Sequence, residues 1–393
     1  MIVEYLSVGT EILLGNIVNT NAAFLAEQFA KLGLTSYYQT SVGDNRARIV
    51  ECLDIAVQRS DIIVVSGGMG PSAEDITKDA VALFLSRQII DDKIEGAEEI
   101  PNDFGNSSGE IIVDNNHTFI LLPGSYNELK PMFLTYVVPY LEKDSDSVIV
   151  TKTVKIAGIG ENEVEDAIKD LVLSHSNPLI SIYPKAGEVH IHVTAKGNDE
   201  AECERLNKPV IKELKTLIGE YIYTTEDEVS LEQSVVELLI SNKLTVSCFE
   251  SCTGGMVSAR LINVAGVSQV LKTCLVTYSD RSKHKNLGVK KSTLQKYTAA
   301  SKEVCEEMVL ASAISDKADV NVAVTGVAGP DSPYENKEVG QVYIGCNVKG
   351  KVEVREYHFK GDRAKIRECA TTAALDLMRV CVLRYIYETQ FEM

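Results

Sequence analysis

Ser251 and Cys252 stand side by side in the stretch Glu250-Ser251-Cys252-Thr253-Gly254-Gly255. An apolar run from Leu244 to Phe249 precedes it, and a segment with helical apolar spacing, Met256 to Val264, follows. A nucleophile at a strand-to-helix turn is aimed outward at substrate, and the helix mouth offers amides to a phosphate or a developing oxyanion. Gly254 and Gly255 remove side chains that would block that approach. A serine hydroxyl is a weak nucleophile that needs a base, whereas a thiol is intrinsically stronger, so residue type leaves Ser251 and Cys252 both open. His284 is the nearest histidine, but its polar surroundings from Asp280 to Asn286 point to an exposed ring. The alternative base is a lysine whose pKa is lowered by its environment. Val276-Thr277-Tyr278-Ser279-Asp280-Arg281-Ser282-Lys283 supplies Lys283, with Tyr278 five residues earlier. That spacing does not put both on one helix face, although a strand end followed by a loop can bring them together.

A second constellation lies near the N-terminus. Gly9-Thr10-Glu11, Ser66-Gly67-Gly68-Met69-Gly70-Pro71 and Leu122-Pro123-Gly124-Ser125 each follow a strand-like run. Turns of this kind expose main-chain amides as an anion-binding nest, here assigned to Gly67, Gly68 and Gly70. Ser72-Ala73-Glu74-Asp75-Ile76-Thr77 adds carboxylates beside it, a fit for Mg²⁺ bridging to phosphate.

The elements that must position these residues fall into three segments. Residues 1–147 alternate strand and helix signals: strands at Ile2–Val8, Ser36–Val42 and Asp61–Ser66, and a helix at Thr20–Leu32. The Asp61–Ser66 run is almost continuously apolar, as in a parallel strand covered on both faces. An open α/β sheet with ligands at the C-terminal ends of its strands is expected. Residues 148–225 read as a small α+β module of β-α-β-α order, with strands at Val148–Ile156 and Glu188–Ala195 and helices at Glu161–Ser174 and Asp199–Leu217. Its His190 and His192 share one strand face, and no third ligand accompanies them, which points to a structural role. The acidic link Thr224–Glu228 is a candidate hinge. Residues 229–393 are again α/β, with strands at Leu244–Phe249, Val320–Thr325 and Val339–Val348, and helices at Ser230–Asn242, Met256–Val264 and Arg363–Tyr387.

Several stretches carry a family resemblance. VGTEILLGNIVNTNAAFLA, VGDN, SGGMGPSAEDIT and LPGSYNELKPMF resemble, in order, the N-terminal domain of the CinA family, which is similar to molybdopterin-binding domains. The resemblance implies divalent-metal-dependent hydrolysis of ADP-ribose, with Asp44 and Asp75 near the metal and the Gly67–Gly70 turn at the phosphates. The match has a departure. Only ten residues separate Ile90 from Pro101, and the motif beginning at Pro101 lacks the usual Ala-Pro-Gly, which shortens part of the pocket wall. ESCTGG, VTYSDRSK, LGV, TGVAGPDS, VGQVYIG and GDRAKIRECA resemble the family's nicotinamide mononucleotide deamidase domain across nearly all of 229–393. That likeness implies Ser251 as nucleophile with Tyr278 and Lys283 beside it, and Cys252 as a packed neighbour. It also implies substrate contacts from Thr253, Gly254, Gly255, Thr325 and Gly326, with Arg363 and Arg367 as candidates for the substrate phosphate. The loop Ser332–Glu338 differs from the usual glycine-richer sequence. No cofactor is implied for the deamidase, and a homodimer is implied by the relatives.

Composition bounds the remaining possibilities. The chain has 393 residues, 45% hydrophobic and 24% charged, as in soluble globular proteins of two or three domains. A net charge of −17 without a Lys/Arg-dense run argues against nucleic-acid binding, which needs a positive face; small nucleotides as partners are what the resemblance implies. Nine cysteines, an odd count without a CxxC pair, fit reduced thiols in the cytoplasm. No run approaches 18 apolar residues, so no membrane span is expected. Two readings compete with the deamidase: metal-dependent ADP-ribose hydrolysis, and a nonenzymatic role tied to competence or damage. The charge and the complete Ser-Tyr-Lys set count against the latter.

Overall fold

The computed structural model describes all residues except 71, 73, 74, 143–147, 315–317, 392 and 393. It divides into two compact units, one of Met1–Thr151 with Ala195–Leu206, the other of Lys152–Thr194 with Asn207–Met393.

The first unit is built on strands β1 (Ile2–Val8), β2 (Thr35–Val42), β3 (Ile62–Ser66), β4 (Glu98–Ile100), β5 (Gly109–Asp114) and β6 (His117–Leu122), in the order β2-β1-β3-β6-β5-β4. The pairs β1–β2, β1–β3 and β3–β6 are parallel, and β6–β5 and β5–β4 are antiparallel. Every residue of β3 is buried because helices cover both faces of the sheet. Side chains alternate between the two cores: Val3, Tyr5, Ile62 and Val64 face one, and Leu6, Ile63 and Val65 the other.

The middle module has four strands, β7 (Val148–Ala157), β8 (Leu179–Lys185), β9 (Glu188–Gly197) and β10 (Ile222–Thr224), in the order β8-β9-β7-β10. Two of these, β8 and β10, exceed the expected β-α-β-α order. Strand β8 forms a hairpin with β9, and β10 adds only three residues beside β7. The Thr224–Glu228 link is anchored rather than free. The Lys155 ammonium donates to the carbonyls of Asp227 (2.6 Å) and Val229 (2.8 Å), and the Asp227 carboxylate accepts the Thr153 amide at 3.1 Å.

The C-terminal sheet contains β11 (Val246–Glu250), β12 (Leu271–Val276), β13 (Val320–Gly326), β14 (Gln341–Val348) and β15 (Lys351–His358), in the order β12-β11-β13-β14-β15. Strands β12, β11 and β13 are parallel and the last two antiparallel. Helices Leu231–Ser241, Met256–Ile262 and Arg363–Phe391 cover one face through Val246, Cys248, Val322, Val324 and Ile344. Helix Lys302–Leu310 covers the other through Phe249, Ala323 and Tyr343. Among the described residues no helix is long and apolar enough to cross a membrane.

Candidate active site

The C-terminal ends of the three parallel strands are stitched together where their loops meet. The Ser251 amide donates to the Val324 carbonyl on β13 at 2.9 Å, and the Thr277 amide after β12 donates to the Glu250 carbonyl at 2.7 Å. Ser251 therefore follows the central strand at the edge where open α/β sheets place their ligands. After Thr277 the Ser279 hydroxyl caps the first turn of a helical segment, residues 280–287, by accepting the Ser282 amide at 3.2 Å. That turn swings Lys283 back beneath the sheet edge, where its side chain is fully buried.

The Lys283 ammonium donates to Ser251 Oγ at 2.8 Å, to the Thr277 carbonyl at 2.8 Å and to the Tyr278 carbonyl at 3.2 Å. Burial lowers its pKa from 10.5 to about 8, opposed by the nearby charges of Asp280 and Cys252. Once deprotonated, the amine still donates two protons to the two carbonyls. Its lone pair then faces Ser251 Oγ, the arrangement of a general base on a hydroxyl nucleophile. Cys252 packs as a neighbour. Its thiol is buried, and desolvation pushes it up to about 11. His284 is exposed, with Nδ1 on the Val289 carbonyl at 2.8 Å.

Tyr278 contributes to Lys283 through its carbonyl. Its phenol is 62% exposed and pairs with Arg363 Nη2 at 3.4 Å rather than with Ser251 or Lys283. Together these residues line a cavity of about 440 Å³ that also includes Asp280, Thr325, Gly326, Asp331 and Tyr334. Arg363 enters this cavity while donating to the Gly329 carbonyl at 2.6 Å. Thr325 lines it too, but its hydroxyl is engaged by the Ala299 carbonyl at 2.7 Å. Gly326 closes against β14, where a Cβ would stand 2.6 Å from the Gln341 carbonyl oxygen.

Two expected roles change. The helix mouth after Ser251 is not open to an anion, because the buried Glu250 carboxylate already fills it. It accepts the amides of Gly255 (2.9 Å), Val257 (3.2 Å) and Ser258 (2.9 Å), and the Ser258 hydroxyl at 2.6 Å. Arg367 lies beneath the turn instead of in the cavity. Its Nε donates to the Cys252 carbonyl at 3.0 Å and its Nη2 to the Thr253 carbonyl at 2.9 Å. Gly254 and Gly255, with φ of +63° and +96°, let the chain reverse between these two clamps. Thr253 is fully buried, with a hydroxyl oxygen that has no hydrogen-bond partner. Its amide and that of Cys252 face the Cys252 sulfur. Sequence reading missed the Glu250 clamp; an acidic residue just before a helix start was its one visible signal.

The middle module braces the same region. Glu188 accepts from the Tyr223 hydroxyl at 2.6 Å and from Arg260 at 3.3 Å, on the helix that follows the nucleophile turn. Thr372, on the helix carrying Arg363 and Arg367, donates to the Ala186 carbonyl at 3.1 Å. His190 pairs with Glu188 and His192 packs on Tyr183, consistent with structural roles.

In the N-terminal unit the glycine turns do converge. The Gly67 amide donates to the Leu122 carbonyl at 3.1 Å, and Thr77 holds the carbonyls of Gly67 (2.7 Å) and Gly68 (3.0 Å). Gly67 has φ of +94°, and a Cβ there would stand 2.1 Å from the Val8 carbonyl oxygen. Gly70 packs against the Asp75 carboxylate. The two carboxylates expected near a metal each accept main-chain amides, Asp44 from the loop after β1 and Asp75 from its own loop. Asp44 accepts the Thr10 amide (2.8 Å) and hydroxyl (2.7 Å), and Asp75 accepts the Ser72 amide at 2.9 Å. Among the described residues no three His, Cys, Asp or Glu side chains gather to hold a metal, although an ion bridged to substrate phosphates needs only one or two carboxylates. Glu74 lies outside the described residues.

Comparison with known families agrees with this architecture. Residues 4–143 match the probable molybdopterin binding domain, 151–224 the damage-inducible protein CinA KH domain, and 228–382 the CinA C-terminal domain. A relative from Clostridium beijerinckii, described as competence-damage inducible, is 43% identical over 97% of this chain and 99% of its own length. CinA-like proteins of Dictyoglomus turgidum and Kosmotoga olearia are 40% and 41% identical, covering 96% and 97% of this chain and 98% of each relative. On this near-full-length similarity the chain belongs to the CinA family.

Proposed function

We propose that the C-terminal domain hydrolyses the carboxamide of nicotinamide mononucleotide, giving nicotinate mononucleotide and ammonia, with Ser251 as nucleophile and Lys283 as its base. The observation that carries this reading is the 2.8 Å contact between the fully buried Lys283 ammonium and Ser251 Oγ, at a lysine whose pKa is lowered to about 8.

Neutral Lys283 takes the Ser251 proton as Oγ attacks the carboxamide carbon. The negative charge that develops on the carbonyl oxygen calls for hydrogen-bond donors at the same sheet edge. The intermediate collapses by breaking the C–N bond, and the leaving nitrogen takes the proton from Lys283 to depart as ammonia. Lys283, neutral again, deprotonates a water that attacks the ester, and Ser251 leaves with its proton restored. Tyr278 serves from the cavity mouth, with its carbonyl on Lys283 and its hydroxyl on Arg363. Arg363 forms no ion pair with a carboxylate among the described residues and is the candidate for the substrate phosphate.

The full chain should convert nicotinamide mononucleotide to equimolar ammonia and nicotinate mononucleotide. Release of free nicotinamide, which reports cleavage at the ribose instead, would exclude the proposal.

A further inference from the structure

The cavity around Ser251 carries two carboxylates that the reaction does not use. Asp280 and Asp331 both line it, and neither makes a side-chain hydrogen bond or ion pair among the described residues. Unpaired carboxylates in a nucleotide site would repel the substrate phosphate unless they face a positive charge. Arg363 supplies one positive wall, and Tyr278 and Tyr334 add aromatic faces to the same cavity. The lining therefore suits a ligand with an anionic end and a flat cationic ring, since aromatic faces also favour a cation stacked on them. Of the two acids, Asp280 is placed nearer the chemistry. It opens the helical segment that delivers Lys283, and its charge acts on both Lys283 and Tyr334.

Resting on the deamidase reading, we propose that Asp280 reads the positive charge of the pyridinium ring, so that the site selects N-substituted pyridinium carboxamides over neutral aromatic carboxamides of the same shape. The selection also serves the reaction. In the empty site the Asp280 charge favours the ammonium form of Lys283, and a bound cationic ring offsets that field, so the substrate itself moves the base toward its active form.

Binding of nicotinamide mononucleotide and of benzamide ribotide, its neutral carbon-linked counterpart, to the full-length Ser251→Ala chain measures the effect without turnover. By calorimetry the cationic ligand should bind about tenfold tighter, and in Ser251→Ala/Asp280→Asn the preference should fall to within about twofold. A preference that survives Asp280→Asn, equal weakening of both ligands, or no binding of either overturns the proposal. Ammonia release by the wild-type chain is scored separately. Its absence removes the deamidase reading, while the ratio of the two dissociation constants still decides the charge reading.

Discussion

Replacing Arg367 by Ala separates two roles that a guanidinium can have beside a nucleotide site. In the structure Arg367 donates to the carbonyls of Cys252 and Thr253, the two residues that follow the nucleophile, and it is not part of the cavity lining. Each hydrogen bond from a charged donor contributes about 1.5–3 kcal/mol, and partial exposure of this side chain sets the pair near the lower end. Without them the Ser251–Gly255 turn keeps the Glu250 clamp and the Ser251 amide bond to Val324 but loses its hold on the Cys252 and Thr253 carbonyls, and Oγ drifts relative to Lys283. A displacement of about 1 Å costs on the order of 10²-fold in rate. Steady-state ammonia release should therefore show kcat reduced on the order of 10²-fold with KM within about twofold. Added guanidinium ion should restore part of kcat by occupying the vacated position. A KM raised tenfold or more at unchanged kcat would refute this reasoning and return Arg367 to the substrate phosphate.

Two further outcomes follow from the same geometry. Because the neutral form of Lys283 is the base, kcat/KM should rise with pH, change about tenfold per unit on the acid side and level off above about 8. A profile flat from pH 6 to 9 would show that another group removes the Ser251 proton. Glu250→Gln leaves helix amides unmatched in a site that is 1% exposed, so the denaturant midpoint should fall by the equivalent of about 2–4 kcal/mol. An unchanged midpoint would mean the carboxylate clamp contributes little.

The backbone of this account was largely legible in the sequence because its signals are local. The apolar run of β3 and the helical spacing of Glu161–Ser174 each report their own element. Strands β4, β5 and β12 went unread, as did β8, β10 and β15. Strand β8 carries Pro184, β10 has three residues, and β15 alternates charges over a half-exposed face, so none shows a buried strand's pattern. At the site, residue type identified Ser251 and Lys283 as a workable pair, but not the short helical segment that brings them together from 32 positions apart. Burial is a tertiary property, and it lowers Lys283 while raising Cys252. The arginines show the same limit. Arg363 and Arg367 are four apart on one helix and read alike in sequence, yet one enters the cavity and the other clamps main-chain carbonyls. Asp44 and Asp75 were read as metal neighbours, and the sequence did not show that Asp44 holds Thr10 and Asp75 holds Ser72.

The most direct test of the central claim is ammonia release from nicotinamide mononucleotide by the wild-type chain and by the Ser251→Ala and Cys252→Ala variants, each with its folding verified. The account predicts activity in the wild type and in Cys252→Ala, and none in Ser251→Ala. Activity retained by Ser251→Ala, or lost only in Cys252→Ala, would contradict it.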